Sequence, residues 1–307
     1  MSTGSEQATA TRGEAVGGAL VALAAVCFGF VVVLGKHELE SGISVYSLLA
    51  IRFGVAAVVL FALLVALRRP LTAAEGERAG LAVLAVCGYA VEATLFFLAL
   101  ERGTAAAVTL LFFIYPVVVT LMSWAAGSGR PGRLTLLALV CAVGGAAVVV
   151  ATGSGLSIQA RGVVAALGAA TSYSAYLVGT DRVLRRTSPL TSSMWVTAGA
   201  SLGLFAFAAL TGNGSLPNGW SEWWPVIGMG LATAAAFVCL LEGIRRIGAV
   251  RTAIVSATEP LAAATLAVLF LGESVTGGLA LGGALILVGA VAASLARAAT
   301  VQEQQVP

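Results

Sequence analysis

Charged residues are scarce in this chain of 307 residues, and their scarcity identifies the solvent around the folded protein. Only 10% of the residues are Asp, Glu, Lys or Arg, while 59% are hydrophobic and the mean hydropathy is +0.99. Soluble domains carry about 25% charged residues, which keep their surfaces in contact with water. The composition excludes a soluble globular protein and predicts a chain that crosses a lipid bilayer several times.

Several kinds of chemistry lack the residues that they need. Histidine occurs once, as His37, and the four cysteines stand singly in apolar runs, so we expect no metal site and no bound cofactor. The chain has no H-E-x-x-H pattern, which argues against an intramembrane enzyme, and no G-x-x-x-x-G-K-[ST] loop, which argues against direct use of ATP. The arginines are spread along the chain, so a nucleic-acid partner is not expected.

Long apolar runs make up most of the sequence. Each is roughly 18–23 residues long, about the length at which a helix spans the hydrocarbon core of a bilayer. Residues 1–15 and 298–307 are small and polar and are expected to form disordered tails. The sequence therefore predicts an all-α membrane protein with ten transmembrane helices, at 16–35, 45–67, 79–100, 104–125, 133–152, 162–180, 190–211, 225–242, 249–271 and 277–296.

The distribution of basic residues predicts the orientation of these helices. If the N-terminus is cytoplasmic, the cytoplasmic segments hold 13 of the 17 basic residues and the opposite loops hold 3, with Arg52 inside a span. Basic residues accumulate on the cytoplasmic side of membrane proteins. With an even number of spans, both termini are expected to be cytoplasmic.

The two halves of the chain resemble each other. Pro116 and Pro260 are 144 residues apart, and the same shift places the fourth and fifth spans on the ninth and tenth. The predicted units are residues 16–152 and 162–297, with five spans each. Because five is odd, the two units must enter the membrane from opposite sides. Inverted repeats of this kind are typical of transporters, whose substrate site lies at the interface of the repeats.

The stretch "VSATEPLAA", residues 255–263, places Glu259 beside Pro260 in the middle of an apolar span. A carboxylate at this depth costs about 2.5–3.5 kcal/mol on insertion scales, and proline disrupts backbone hydrogen bonds. Both are tolerated where the helix faces protein or a wet cavity. We interpret Pro116 and Pro260 as helix kinks and Glu259 as a residue of the central cavity. The alternative is a structural kink with a packed glutamic acid.

The segment "RRIGAVRTAIVSATEPLAAATLAVLFLGESV", from residue 245, resembles the end of an EamA-like repeat of the drug/metabolite transporter superfamily. The matching positions are Arg246-Ile247-Gly248, Glu259-Pro260 and Gly272-Glu273. "FFLALERGTAAAVTLLFFIYPVVV" is similar to the same region of a first repeat, with Tyr115-Pro116 in place of Glu-Pro. The first half departs from the pattern at Gly129-Arg130-Pro131, so the halves are not chemically equivalent.

The resemblance implies ten helices, two inverted repeats, and export or exchange of small metabolites such as amino acids. It also implies a bacterial cytoplasmic (inner) membrane, with the bilayer and a small-molecule substrate as partners. Multidrug efflux or metabolite uptake by the same fold is the main alternative, and a membrane receptor or scaffold without transport activity is a remote one. Kinship of fold does not identify a substrate.

Arg52 and Glu92 are the other deep charges. Each lies about 10–12 Å from the outer end of its span, so the two side chains could form a structural ion pair. Glu92 could instead couple transport to protons or bind a substrate amine, and each side chain could also extend separately to the interface.

Aromatic residues with polar tips supply further candidates. Tyr173 and Tyr176 lie on one face of the sixth span, and Tyr115 lies near the midplane of the fourth. With Phe237 as a weaker candidate, they could line a pocket for a small amphipathic solute, or they could be packing residues.

Two G-x-x-x-G patterns allow helices to approach closely. They occur at Gly199–Gly203 and Gly278–Gly282. We expect them to pack within one chain, and a homodimer stays an open alternative.

The predicted orientation can be tested with reporters fused to the C-terminus at Pro307. The excess of basic residues on one side predicts activity of a reporter that works only in the cytoplasm, and no activity of a reporter that works only outside it. Activity of the external reporter would contradict the arrangement with two cytoplasmic termini.

Overall fold

Helices account for nearly all of the chain in this computed structural model, which describes residues 3–125, 132–152, 158–217, 219–256 and 258–304. Twelve α-helices are present in these residues, and the π-helical turn Leu84–Tyr89 joins α3 to α4. The helices are α1 Thr3–Glu40, α2 Val45–Ala66, α3 Arg78–Val83, α4 Ala90–Leu100, α5 Ala105–Phe112, α6 Tyr115–Ala125, α7 Arg133–Thr152, α8 Ala160–Val183, α9 Pro189–Thr211, α10 Trp220–Ser256, α11 Glu259–Leu271 and α12 Gly277–Gln304.

Within the described ranges, six helical segments are long and apolar enough to cross a membrane: Glu14–Glu40, Val45–Ala66, Arg78–Leu100, Ala160–Thr180, Pro189–Thr211 and Trp223–Ile247. Four shorter apolar segments complete the set: Ala105–Val119, Leu136–Val149, Glu259–Leu271 and Gly277–Ala292. Each of these segments overlaps one predicted span. The all-α membrane class agrees with the sequence analysis, while the crossing of the membrane by all ten segments and the orientation of the termini stay predictions.

Both tails differ from the disordered segments expected at 1–15 and 298–307. Helix α1 begins at Thr3, and α12 continues to Gln304. Elongation of a helix that already exists costs much less than nucleation, and residues 5–15 and 298–304 contain no proline. Residues 1, 2 and 305–307 lie outside the described residues, as do Gly129, Arg130 and Pro131 of the first half.

Two spans are interrupted near their middles. Helix α5 ends at Phe112 and α6 begins at Tyr115, while α11 begins at Glu259. Pro116 and Pro260 are therefore the second residues of the helices that follow the breaks. Proline is tolerated in the first turn of a helix because an amide there has no partner within the helix. The two prolines lie at corresponding places in the two halves.

The long helix α10 does not extend as one straight rod. Helices α1 and α10 pack antiparallel, and Ile247 lies against Gly17. Ala263 of α11 lies against Gly29 of α1. Gly29 is closer than Gly17 to the end of α1 that packs against the beginning of α10. The chain therefore reverses between Ile247 and Ala263, and α11 returns along α1.

Glycines allow close contacts between helices of the two halves. A Cβ atom at Gly145 of α7 would lie 2.6 Å from the carbonyl oxygen of Gly282 of α12. In α9, a Cβ at Gly199 would lie 2.8 Å from the Cβ of Ala85. Both G-x-x-x-G patterns thus take part in packing within the chain, as small residues do at membrane helix interfaces.

The Gly-Glu pair at the end of α11 has a physical explanation. Gly272 adopts φ 66°, a left-handed conformation that favours glycine and ends the helix. Glu273 then accepts hydrogen bonds from the amides of Ala105 at 2.7 Å and Ala106 at 3.3 Å, at the beginning of α5. A carboxylate at a helix N-terminus satisfies free amides and interacts favourably with the helix dipole. This contact joins the second half of the chain to the first.

A second carboxylate joins the halves through the loops before α3 and before α9. Glu77 accepts hydrogen bonds from the amides of Arg185, Arg186 and Thr187 at 2.8–2.9 Å, and from the hydroxyl of Thr187 at 2.6 Å. The side chain is 7% exposed. The hydroxyl of Thr187 and these amides lower the pKa of Glu77 to about 2, because they stabilise the ionised carboxylate.

Glu77→Gln should lower the melting temperature of the purified protein at pH 7. Because the pKa of Glu77 is lower in the folded state than its ordinary 4.5, its contribution is full above that value and disappears as the pH falls toward about 2. The difference in melting temperature between wild type and variant should therefore shrink below pH 4.5.

Glu75→Gln is the matched control, because the side chain of Glu75 is exposed in the same loop. A melting difference for Glu77→Gln that stays constant across this pH range would contradict the ionised contact.

Candidate functional site

Aromatic side chains from both halves meet in the interior. The rings of Tyr173 and Tyr176 stack with centroids 6.0 Å apart, and Tyr115 meets Tyr173 edge-on at 4.9 Å. Tyr89 lies 5.4 Å from Tyr176 and 6.1 Å from Phe237. The structure thus brings the predicted residues Tyr115, Tyr173, Tyr176 and Phe237 into one continuous group, which we call the aromatic cluster.

The structure adds phenylalanines that the sequence analysis did not select. Phe112, at the end of α5, lies 5.5 Å from Tyr115 and 5.4 Å from Tyr173. Phe53 lies 5.4 Å from Tyr89. Phe112 stands four residues before Pro116, so its position beside an interrupted span was a signal in the sequence. Phe53 adjoins Arg52, but only packing shows that its ring reaches the cluster.

The π-helical turn Leu84–Tyr89 places Tyr89 in the cluster. A π-turn shifts the register of the backbone hydrogen bonds, and such turns occur frequently at functional sites. The hydroxyl of Ser172 on α8 donates to the carbonyl oxygen of Gly88 at 3.2 Å. The absence of a side chain at Gly88 lets Tyr176 approach. The regular helix predicted over 79–100 is therefore distorted at its contact with α8.

The break between α5 and α6 is also held by α8. The hydroxyl of Ser174 is completely buried and lies 3.1 Å from the carbonyl oxygen of Tyr115 and 2.7 Å from that of Ala170. This contact places α8 against the backbone of Tyr115, whose ring enters the cluster.

Three ionisable groups border the aromatic cluster. Arg52 is 6% exposed and Glu92 is 8% exposed, while Glu259 is partly buried. Glu92 lies within electrostatic range of both Arg52 and Glu259, and Glu259 lies within range of Tyr115 and Tyr89. The predicted candidates Glu92 and Glu259 therefore adjoin the same interior region as the tyrosines.

The predicted ion pair between Arg52 and Glu92 is not formed. Among the described residues, no nitrogen of Arg52 lies within 4.0 Å of a carboxylate oxygen of Glu92. Instead, Nε of Arg52 donates to the hydroxyl oxygen of Thr233 on α10 at 2.9 Å. The guanidinium Cζ also lies 4.8 Å from the ring of Phe53 and 5.5 Å from that of Phe97. Equal depth on neighbouring helices was thus insufficient to predict a contact.

Thr233 is the residue that sequence reasoning missed. It is completely buried, and its hydroxyl donates to the carbonyl oxygen of Met229 at 2.8 Å while it accepts from Arg52. Close packing creates this contact, since a Cβ at Gly230 would lie 2.5 Å from Cβ of Val55 on α2. A polar residue within an apolar span was visible in the sequence, but its partner was not.

No group of three or more metal-binding side chains occurs in the part of the chain that the structure describes. Residues 199–203, G-A-S-L-G, match the spacing of the nucleophile turn of hydrolases. Ser201 of this pattern lies inside α9, and its hydroxyl donates to the carbonyl oxygen of Ala50 at 2.7 Å. It lacks the strand-to-helix turn that exposes such a nucleophile.

The EamA-like transporter family matches the chain twice, over residues 15–151 and 160–295. The chain belongs to this family. The two matched ranges overlap the units predicted at 16–152 and 162–297, while the five spans of each unit stay a prediction. Membership makes the protein a membrane transporter and points away from an enzyme.

Two curated relatives are also named as transporters. Over 201 residues, the chain is 29% identical to the uncharacterized inner membrane transporter YicL of Salmonella typhimurium, a match that covers 64% of this chain and 66% of the relative. Over 210 residues, it is 29% identical to the uncharacterized transporter YwfM of Bacillus subtilis, covering 66% of this chain and 69% of the relative. The match thus spans about two thirds of each relative's length.

A solved crystal structure shares the fold of this EamA-like protein. It aligns with a TM-score of 0.61 over 90% of this chain and 98% of its own length, at 22% identity. Identity at this level establishes the fold and leaves the substrate to be argued from the residues of the site.

Thr233→Val should destabilise the protein by about 1–3 kcal/mol, because Nε of a buried arginine loses its acceptor while the side-chain shape is preserved. The measurement is the free energy of unfolding in detergent. Thr171→Val is the control, since the hydroxyl of Thr171 is exposed and bonds within its own helix. Equal stability of the two variants would contradict the role of Thr233.

Proposed function

We propose that this EamA-like protein is a secondary transporter that exports or exchanges small, amino-acid-like metabolites across the bacterial cytoplasmic membrane. The observation that carries the proposal is the convergence of two interrupted spans on one site. Tyr115 and Glu259 are the first residues after the two breaks, and they lie within electrostatic range of each other beside the aromatic cluster. Broken helices at a repeat interface are the usual setting of a transporter site.

The pairing of helices supports two inverted repeats. Helix α1 packs on α10, and α4 packs on α8. If the first five spans correspond in order to the last five, the first span matches the sixth and the third matches the eighth. The contact of α1 with α10 joins spans one and eight, and the contact of α8 with α4 joins their counterparts, spans six and three. The two contacts are then equivalent. The pairs α2 with α9 and α7 with α12 each join a helix to its own counterpart. This is the pattern expected of a two-fold axis between the halves, and an odd number of spans in each half would place that axis in the membrane plane.

Glu259 is the proposed coupling or substrate residue. Its helical depth places it about 18 Å from the outer end of its span, near the midplane. Among the described residues, its carboxylate has no hydrogen bond or ion pair. It is therefore available to a proton or to a cationic group of a solute. Proton coupling and simple facilitated exchange both use this position.

Multidrug efflux is the second candidate, and one observation favours it. A half-open apolar cavity of about 590 Å³ lies among α5, α11 and α12, with Pro260, Leu261, Ala264, Leu110 and Gly283 in its lining. Pro260 adjoins Glu259 in the chain, so part of the lining of this cavity lies next to a residue of the proposed site. An apolar solute that enters from the bilayer would use it. Uptake rather than export would need no change of residues.

Glu259→Gln tests the proposal in proteoliposomes loaded with radiolabelled amino acids. Wild type should release label in exchange for external amino acid. The variant keeps the size of the side chain and removes its charge, so it should insert and fold while its flux falls or loses its dependence on pH between 5 and 8.

Glu101→Gln is the matched control, because Glu101 lies beyond the end of α4 and pairs with Arg102 at 3.1 Å. Flux by Glu259→Gln that equals wild type at every pH would remove Glu259 from the site. If wild type transports none of the amino acids but does transport lipophilic cations, the multidrug alternative would be favoured.

A further inference from the structure

The guanidinium of Arg52 is held in place but only partly bonded. Nε donates to Thr233, and the rings of Phe53 and Phe97 lie near the group. An aromatic ring attracts a cation through its face, so it does not accept hydrogen bonds from the N–H groups that lie in the plane of the guanidinium. The two Nη atoms carry four further N–H donors. Among the described residues, none of these four forms a hydrogen bond or a salt bridge.

The Nη atoms of Arg52 keep some accessible surface. Within the described residues, they form no hydrogen bond, yet they are not among the fully enclosed polar atoms that lack a partner. The side chain as a whole is only 6% exposed, so this accessible surface is small. A planar pair of accessible N–H groups matches the two oxygens of a carboxylate.

Glu92 supplies an opposite charge near Arg52. It is 8% exposed, it lies within electrostatic range of Arg52, and its carboxylate has no hydrogen bond or ion pair among the described residues. The two groups are more than 4.0 Å apart. Tyr89 and Tyr176 of the aromatic cluster also lie within electrostatic range of Glu92. A small solute that fits here meets a cation, an anion and a wall of tyrosine rings.

We propose that Arg52 binds the carboxylate of the transported solute and that Glu92 binds its ammonium group, so that the site selects zwitterionic solutes. This inference rests on the proposed transport function and names the chemical class of its substrate. It also replaces the structural role expected for Arg52. A structural ion pair would bring the two charges into contact, whereas here the donors of Arg52 and the oxygens of Glu92 stay separate.

The arrangement explains why an expensive charge is retained in the membrane. A buried arginine stabilises a fold only when its donors are satisfied, and an apolar replacement is often equally stable. Thr233, Phe53 and Phe97 fix the direction of the guanidinium and leave its Nη edge accessible. A bidentate contact with a carboxylate would satisfy this edge when the solute binds.

The experiment measures binding to the full-length purified protein by titration calorimetry, with three probes for each of alanine, leucine and phenylalanine. The probes are the amino acid, the amine without the carboxylate, and the acid without the amino group. Wild type should bind at least one amino acid about tenfold or more tightly than both of its partial analogues, because each analogue leaves one buried charge without a partner. Failure of every amino acid to exceed its analogues would overturn the proposal.

Variants assign the two ends of the solute. In Arg52→Gln the preference for the amino acid over the amine should disappear, while Glu92→Gln should lose the preference over the acid. Arg52→Lys keeps the charge but not the bidentate geometry, so it should retain part of the preference. Arg161→Gln, in an exposed position on the opposite half, is the control and should behave as wild type. Arg52→Gln that retains the full preference would overturn the assignment.

The wild-type panel keeps the test decisive if a variant does not fold, because it needs no substitution. The same probes in proteoliposome flux separate the two proposals. Flux of solutes regardless of their carboxylate would leave the transport function intact and overturn the role of Arg52. Selective binding of zwitterions without any flux would uphold the role of Arg52 and contradict transport.

Discussion

The need to satisfy backbone hydrogen bonds inside a bilayer is the constraint on which the rest of this structure depends. Continuous helices meet it without help, but breaks and π-turns leave carbonyls that need other donors. Helix α8 contacts both irregular segments, since the hydroxyl of Ser172 donates to Gly88 in the π-helical turn and that of Ser174 lies 3.1 Å from the carbonyl oxygen of Tyr115 after the break between α5 and α6. Tyr173, between these serines, packs against Tyr115. The helix that contacts both irregular segments thus also contributes to the site.

Several polar contacts join the two halves of the protein. Glu273 satisfies amides of α5 from the opposite half, and Glu77 satisfies amides of the loop before α9. Arg52 on α2 and Thr233 on α10 form a further contact across the halves. In lipid, a polar side chain is tolerated where it meets another polar group or an interior cavity. The interface is therefore the place where both structural contacts and a solute site can exist.

The family assignment and the residues of the site answer different questions. The EamA-like match over both halves identifies a membrane transporter. The fold shared with a solved structure at 22% identity does not specify a solute. The proposed chemical class of the solute rests on Arg52, Glu92 and Glu259, which are charged residues near the aromatic cluster. Because these charges lie near the tyrosines of the aromatic cluster, the proposed solute is small, charged and partly apolar.

The sequence by itself determined the membrane class, the positions of the apolar spans and the duplication, because each follows from composition and spacing along the chain. It also located the two interrupted spans, since proline beside a polar or aromatic residue in an apolar run is a local signal. Tyr115, Tyr173, Tyr176 and Phe237 were selected from the sequence and do meet. The contacts between side chains could not be predicted from the sequence in the same way. The Arg52 contact went to Thr233, 181 positions away, and the π-helical turn at Tyr89 followed from packing against α8. Only the tertiary structure decided these features, because helical depth fixes the level of a side chain in the membrane but not the direction in which it points.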